Sequence, residues 1–226
     1  MNKSKIKIES KNMCRLLYVN SKQQFAIEDY LKKFALVARN SREFQGHGWG
    51  CAYQTETGWK FYHNVKPIWE DDLSKSGNTD RLIVHARSAF KDEGIVVENN
   101  MPFNDEKNIF IFNGELRGVK IKEEGRIGAE KIFNYIKRFD KGSIKEAISK
   151  GTEIINKKSN YIRAMNIIWA DKEAAYVYAQ FNEDADYFTM YKYQNKNTVV
   201  VCSEKFPDEN DWLPISNNSF MEIPCF

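Results

Sequence analysis

The order in which strand-like and helix-like segments follow one another constrains the fold of this chain most strongly. Apolar runs typical of strands occupy 13–19, 82–86 and 109–112, and helical patterns follow over 126–139 and from Ser143 onward. Four more strand-like runs come after them, at 162–169, 174–181, 187–193 and 198–202. Strands and helices therefore do not alternate as they do in a parallel doubly wound sheet. The order predicts an α+β fold in which helices pack on two sheets.

Local signals add detail to this pattern. Apolar residues at helical spacing predict a helix over 22–38, and the segment 51–64 predicts a β-hairpin. The pair Asn113-Gly114 predicts a turn at the end of the strand that precedes it. Ser143 and Glu146 form a capping-box pattern, which predicts the start of a helix.

Composition and charge exclude several classes of protein. The 226 residues are 42% hydrophobic and 29% charged, which is ordinary for a globular domain. No apolar run approaches the ~18–20 residues that a membrane-spanning helix needs. The net charge of +3 is too small to indicate a nucleic-acid partner. The first twelve residues lack the apolar core of a secretory signal, so we expect a cytoplasmic protein with no membrane partner.

The cysteines and glycines give no sign of a metal or cofactor. Cys14, Cys51, Cys202 and Cys225 are far apart and form no CxxC pair, so a zinc site is not expected. Neither of the glycine-rich patterns that bind phosphates or dinucleotides is present. We therefore expect reduced thiols, no metal and no cofactor.

Cys14 is a candidate nucleophile because it directly follows Met13. A buried cysteine in a strand is ordinarily a small hydrophobic residue. If Met13 is removed, however, Cys14 carries both a thiol and a free α-amine. An α-amine has a pKa near 8, so it can act as a base beside the nucleophile without a histidine partner.

Five short motifs occur in one order along the chain. They are MCRLL at 13–17, Gly48-Trp49-Gly50, HAR at 85–87, N-x-x-PF at 99–103 and Asn113-Gly114, followed by a tail at 199–212. In this order they resemble the class II glutamine amidotransferases, most closely the stand-alone single-domain type. These are N-terminal-nucleophile hydrolases. The resemblance implies a four-layer αββα sandwich of two mainly antiparallel sheets, with residues 14–226 as the amidotransferase domain.

The same resemblance implies roles for particular residues. Cys14 matches the nucleophile, and Arg87 matches the arginine that binds the substrate's α-carboxylate with its planar fork. Asn113 supplies a side-chain amide and Gly114 a backbone N–H to the oxyanion hole. Ser88, in the HARSAF segment, and Trp49, in the glycine-rich turn, are assigned to the substrate site.

Each of these residues also has a structural explanation. On that explanation Arg87 would be a surface charge and Asn113-Gly114 a hairpin turn, while His85 would be a core histidine with satisfied hydrogen bonds and Trp49 would fill a gap.

Several positions depart from the family pattern. Gly128 stands where many members have the aspartate that binds the substrate's α-ammonium, and Glu130 is two helical positions away from it. Other candidate acceptors are Asp92, Glu93 and Glu115. Phe112, His47 and Met101 replace a histidine, an acidic residue and a histidine, respectively. The substrate is therefore glutamine or a related γ-glutamyl compound.

The segment before Cys14 leaves three alternatives open. In the first, the start is mis-assigned, Met13 is the true start, and its removal exposes Cys14. In the second, residues 1–13 are a leader or propeptide that is cleaved before Cys14. In the third, the extension is retained and the protein is inactive. In the active alternatives, Cys14 hydrolyses the amide through a thioester and releases ammonia and glutamate. A separate synthetase is a possible partner, and the alternative functions are a γ-glutamyl hydrolase and an inactive regulatory or binding scaffold.

Overall fold

The structure is a computed structural model that describes residues 13–75, 77–89, 93–207 and 209–226. Its strands are β1 (Arg15–Ala26), β2 (Trp49–Thr55), β3 (Gly58–Asn64), β4 (Asn78–Ala86), β5 (Phe103–Asn104), β6 (Ile109–Arg117), β7 (Tyr161–Ala170), β8 (Ala174–Ala179), β9 (Tyr191–Gln194), β10 (Thr198–Cys202), β11 (Leu213–Pro214) and β12 (Ser219–Pro224). The α-helices are α1 (Ile27–Arg39), α2 (Gly128–Lys137), α3 (Ile144–Lys158) and α4 (Ala185–Phe188).

The strands form two antiparallel sheets. One has seven strands in the order β11-β9-β10-β1-β4-β2-β3, and the other has five in the order β12-β8-β7-β6-β5. Every strand pair within them is antiparallel. The hairpin predicted at 51–64 is β2 and β3, and the predicted strand 82–86 lies in β4, between β1 and β2.

Alternating side chains of the first sheet enter two different cores, as the period of two in a strand requires. On β1, Leu17 and Val19 pack with α1, whereas Leu16 and Tyr18 pack in the core that includes the second sheet. On the far side of the second sheet, Phe133 of α2 contacts rings of β6 and β7. The layers are therefore helix, sheet, sheet and helix, and the predicted αββα sandwich is confirmed.

Two of the predicted elements differ from the structure. The helix predicted from 22 begins at Ile27, because residues up to Ala26 continue β1 and pair with β4. The strand predicted over 187–193 is interrupted, since α4 occupies Ala185–Phe188 and β9 begins only at Tyr191. In both places, contacts distant in sequence override the local pattern.

The turn predicted at Asn113-Gly114 is wrong. Both residues lie inside β6, where Asn113 pairs with Asn166 and Gly114 pairs with Met165. Glycine is required here because a side chain at this position would collide with the carbonyl oxygen of Ala164 in the neighbouring strand. The glycine thus marks a close approach of two backbones rather than a hairpin.

The helix starting after Ser143 is confirmed. The Ser143 hydroxyl accepts a hydrogen bond from the backbone N–H of Glu146, as a helix cap does. Within the described part of the chain, none of the helices has the length and apolar character needed to cross a bilayer.

Candidate active site

Cys14 immediately precedes β1, at the point where the seven-stranded sheet meets the segment after β4. Its sulfur accepts a hydrogen bond from the backbone N–H of Ser88 at 3.5 Å and lies 3.7 Å from the Ser88 carbonyl oxygen. Burial raises the pKa of the Cys14 thiol to about 11, against the smaller opposing effect of nearby Arg87. The thiol is therefore neutral near pH 7 and needs a base before it can attack.

The peptide bond before Cys14 is held by two donors. Met13 is 3% exposed, and its carbonyl oxygen accepts hydrogen bonds from Gln45 Nε2 at 2.5 Å and from the Tyr187 hydroxyl at 2.8 Å. Burial raises the pKa of Tyr187 to about 12, so this hydroxyl remains a donor. The guanidinium of Arg15 stacks over the Tyr187 ring at 3.9 Å. These contacts fix the position of the Cys14 backbone nitrogen.

A buried charge network lies beside Met13. Arg163 Nη2 contacts Glu43 Oε1 at 3.2 Å and Asp184 Oδ2 at 2.6 Å. Burial raises the pKa of Glu43, while Arg163 and the backbone amide of Met13 act to lower it. Glu43 in turn acts to raise the pKa of the Cys14 thiol. The Glu43 carboxyl therefore lies at the Met13 amide and acts electrostatically on the Cys14 thiol.

Arg87 follows the last residue of β4 and is not a surface charge. It is 5% exposed, and its Nη1 donates to the Gly94 carbonyl at 2.9 Å and approaches Asn100 Oδ1 at 3.4 Å. Burial lowers the pKa of this guanidinium. Among the described residues, no carboxylate forms an ion pair with it. A buried arginine without a carboxylate partner is well suited to bind one from a ligand.

The segment from Arg87 to Ala89 is anchored by the glycine-rich turn at 46–50. The backbone N–H of Arg87 donates to the Gly48 carbonyl at 2.9 Å. His47 receives a hydrogen bond on Nδ1 from the backbone of Ala89 at 2.8 Å. His47, where the resemblance led us to expect an acidic residue, thus positions the residues that surround the Cys14 sulfur.

Asn113 lies on β6, in the sheet that faces Cys14 and β1. It is 0% exposed, and neither Nδ2 nor Oδ1 of its side chain has a hydrogen-bond partner among the described residues. An unpaired buried amide costs about 1–3 kcal/mol and calls for an explanation. An oxyanion hole gives one, because its donors are satisfied only when substrate is bound.

His85 is also buried, and no hydrogen-bond partner for it lies among the described residues. It is fully enclosed on β4, and burial lowers its pKa to about 3, with Arg87 acting in the same direction. Neither ring nitrogen has a hydrogen-bond partner in the described part of the chain. The satisfied core histidine proposed from sequence is therefore in the core, but its hydrogen bonds are not satisfied.

The structure brings Arg87 and Ser88 to Cys14, places Asn113 and Gly114 on the facing sheet, and directs the ring of Trp49 elsewhere. Ser88 contacts the Cys14 sulfur through its backbone, and its buried hydroxyl has no hydrogen-bond partner among the residues that the structure describes. The ring of Trp49 lies on the α1 side of its sheet, where its indole N–H donates to Asp71 Oδ2 at 2.9 Å. The structure does not bring this ring to Cys14. Only the backbone of the Trp49 turn reaches the site.

Among the described residues, the carboxylates that the sequence suggested as acceptors for the substrate's α-ammonium are paired with arginines or exposed to solvent. Glu130 pairs with Arg126 at 2.6 Å, and Glu115 pairs with Arg117 at 2.5 Å. Glu93 is exposed, and Asp92 lies outside the described residues. A Cβ added at Gly128 would meet no atom within 4 Å.

Sequence reasoning missed three residues of this region. Gln45 and Tyr187 hold the Met13 carbonyl, and Tyr187 is 174 residues away in sequence, so no local pattern indicates it. Asn99 was assigned only to the loop before β6, although its amide lies beside Arg87 and donates to Gly94. The asparagine of the N-x-x-PF motif was the available signal.

Comparison with known proteins supports the fold. No family model matches the sequence, and none of the curated proteins matches it. Among solved structures, glutamine phosphoribosylpyrophosphate (PRPP) amidotransferase from B. subtilis, complexed with ADP and GMP, superposes with a TM-score of 0.63 at 15% identity, covering 93% of this chain and 49% of that one. This chain therefore spans about half of that enzyme.

Two shorter structures match over nearly their whole length. A glutamine aminotransferase class-II domain protein from Silicibacter pomeroyi has a TM-score of 0.61 at 14% identity, covering 92% of this chain and 94% of that one. A predicted glutamine amidotransferase from Pseudomonas aeruginosa has a TM-score of 0.54 at 14% identity, covering 94% and 93%. The chain thus has the N-terminal-nucleophile hydrolase fold of class II glutamine amidotransferase domains.

Proposed function

We propose that this protein hydrolyses the side-chain amide of glutamine, or of a related γ-glutamyl compound, through a thioester on Cys14. One observation carries the proposal. The Cys14 sulfur lies 3.5 Å from the backbone nitrogen of Ser88, the residue next to a buried arginine that no described carboxylate neutralises. A nucleophile is thus adjacent to a group suited to bind a carboxylate. The unpaired amide of Asn113 on the facing sheet supports the same reaction.

The α-amine of Cys14 is the base in this proposal. Through a water molecule it accepts the thiol proton, while sulfur attacks the carboxamide carbon. Asn113 Nδ2 and the Gly114 N–H donate to the oxyanion of the tetrahedral intermediate. The carbon–nitrogen bond then breaks, and the leaving nitrogen takes the proton back to depart as ammonia. Water hydrolyses the thioester, which releases glutamate and restores the thiol.

This mechanism requires that Met13 be removed, because an acylated nitrogen is not a base. We propose that residues 1–13 are absent from the active form and that 14–226 constitute the amidotransferase domain. Once Met13 has left, Gln45 and Tyr187 no longer bind its carbonyl and lie beside the new α-amine. Arg87 binds the substrate carboxylate and thereby fixes the amide against Cys14.

The ammonia has two alternative fates in this proposal. A separate synthetase takes it up, or the protein releases it as a plain amidohydrolase does. Ammonia release by the isolated protein, measured with and without candidate acceptors, distinguishes them.

The buried state of Met13 favours a second candidate function, that of an inactive regulatory or binding scaffold. Met13 is enclosed and hydrogen-bonded, which is compatible with a permanently acylated Cys14. This candidate predicts no amide hydrolysis by any form of the protein.

Three forms of the protein test the proposal. Ammonia and glutamate release from glutamine and from γ-glutamyl peptides is measured for protein that begins at Cys14, for protein that retains Met13, and for Cys14→Ala. We expect turnover only in the first form. Turnover by the Met13 form would contradict the role of the α-amine, and no turnover in any form would favour the scaffold.

A further inference from the structure

The proposed substrate raises a question of charge. Glutamine carries an α-ammonium on the same carbon as the α-carboxylate that Arg87 would bind. A buried ammonium needs an acceptor, since leaving it unpaired is costly. Glu130 and Glu115 are paired with Arg126 and Arg117, and Gly128 offers no side chain. Glu93 is exposed, so among the described residues a buried acceptor beside Arg87 is a neutral group.

Asn99 has such a group. Its side-chain nitrogen donates to the Gly94 carbonyl at 3.0 Å, and Arg87 Nη1 donates to that same oxygen at 2.9 Å. The amide and the guanidinium are therefore neighbours. Asn99 is 7% exposed, and its Oδ1 has no hydrogen-bond partner among the described residues. An acceptor is thus held beside the carboxylate-binding arginine and is left unpaired.

The local backbone is arranged for this proximity. Gly94 has a positive φ of 62°, and a Cβ there would lie 3.1 Å from Asn99 Nδ2 and 3.9 Å from Arg87 Nη2. A glycine lets the chain turn and lets both side chains approach the same carbonyl. The next residue, Asn100, has no spare acceptor of this kind, because its Oδ1 faces Arg87 at 3.4 Å.

We infer that Asn99 Oδ1 accepts a hydrogen bond from the α-ammonium group of the substrate and makes the site selective for amides that carry a free α-amine. The inference rests on the proposed function. It assigns a neutral amide to a task for which a carboxylate was expected from sequence. Arg87 and Asn99 together then recognise the two charged groups of one amino-acid carbon.

The test compares glutamine with glutaramate, which has the same carboxylate and carboxamide but no amine. In protein that begins at Cys14, we expect Asn99→Leu to lower kcat/KM for glutamine about 10- to 100-fold more than for glutaramate, the range of a hydrogen bond to a charged group. Asn100→Leu is the matched control. It weakens the support of Arg87, so it should lower kcat/KM for both substrates by the same factor.

A binding measurement keeps this inference separate from the proposed function. Calorimetric titration of both ligands into Cys14→Ala, with and without Asn99→Leu, needs no turnover. We expect the preference for glutamine over glutaramate to be lost with Asn99→Leu. The inference is overturned if Asn99→Leu leaves that preference unchanged, or if Cys14→Ala binds the two ligands equally. Selective binding without turnover would contradict the proposed hydrolysis and leave the role of Asn99 standing.

Discussion

Replacing Asn113 with leucine is expected both to stabilise the fold and to lower the activity strongly. Asn113 is completely buried, and both polar atoms of its side chain lack partners among the described residues. Leucine has nearly the same shape but no polar atoms to desolvate. The same substitution removes a donor that the proposed reaction needs. Stability and function therefore change in opposite directions.

The magnitudes follow from the environment of this side chain. A buried polar group without a partner costs about 1–3 kcal/mol, so Asn113→Leu should raise the free energy of unfolding by a similar amount. Loss of one oxyanion donor should lower kcat by about 10²–10³.

The neighbouring strand supplies a matched control. Asn166 lies directly opposite Asn113 in the ladder between β6 and β7 and is equally buried. Its amide is fully engaged, because Nδ2 donates to the Phe188 carbonyl at 2.8 Å and Oδ1 accepts from the Gln180 N–H at 3.2 Å. Asn166→Leu leaves both backbone groups unpaired, so it should lower the free energy of unfolding by about 1–3 kcal/mol.

Urea unfolding of the wild type and both variants measures these changes, with the m-value used to check that the unfolding transition is unaltered. Ammonia release gives the matching activities. If Asn113→Leu destabilises the protein as much as Asn166→Leu does, the Asn113 amide is satisfied in the folded state and the reasoning is refuted.

Three further predictions concern stability and reactivity. Gly128→Asp places an acidic residue at the start of α2 where a Cβ meets nothing within 4 Å, so it should stabilise by about 0.5–1 kcal/mol and raise Tm by about 2 °C; a lower Tm would refute this. Burial acts to raise the pKa of Asp71, but hydrogen bonds, chiefly from Tyr62 and Trp49, leave it lowered. The ionised Asp71 therefore stabilises the folded state above its ordinary pKa of 3.8, and this stabilisation is lost as the pH falls. Below that pH, Tm should drop more steeply with falling pH for wild type than for Asp71→Asn; equal slopes of Tm against pH would refute this prediction. Since burial raises the pKa of Cys14 to about 11, its alkylation in the Met13 form should speed up about tenfold per pH unit between roughly pH 7 and 10; a plateau near pH 8 in a mass-spectrometric time course would contradict this.

Two sheets with helices packed on them could be predicted from patterns within short segments, whereas the four-layer order came from the resemblance to a known family. The apolar run at 13–19 and the cap at Ser143 both appear directly in the sequence. Asn113-Gly114 shows the limit of such patterns. The pair is common in turns, yet here the glycine serves contact with Ala164 in a strand 50 residues later, and only the paired sheet reveals it.

The chemistry around Cys14 was predictable in part for a similar reason. Arg87 and Ser88 belong to one contiguous motif, and the structure places that motif against the sulfur. Tyr187 and Asn99 were not predicted, because their roles depend on which groups are left without a partner after folding. The ring of Trp49 faces α1 because side chains alternate between the two faces of a strand. Its position in sequence beside the site residues does not set this direction.

Covalent capture of Cys14 tests the central claim most directly, namely that this cysteine is a nucleophile activated by its own α-amine. Protein that begins at Cys14 is treated with a diazo-ketone analogue of glutamine, and its intact mass and labelled peptide are determined. The account predicts one adduct, located on Cys14, with none in Cys14→Ala and none in protein that retains Met13. Labelling of Cys51, Cys202 or Cys225 instead, or equal labelling of Cys14 with and without Met13, would contradict it.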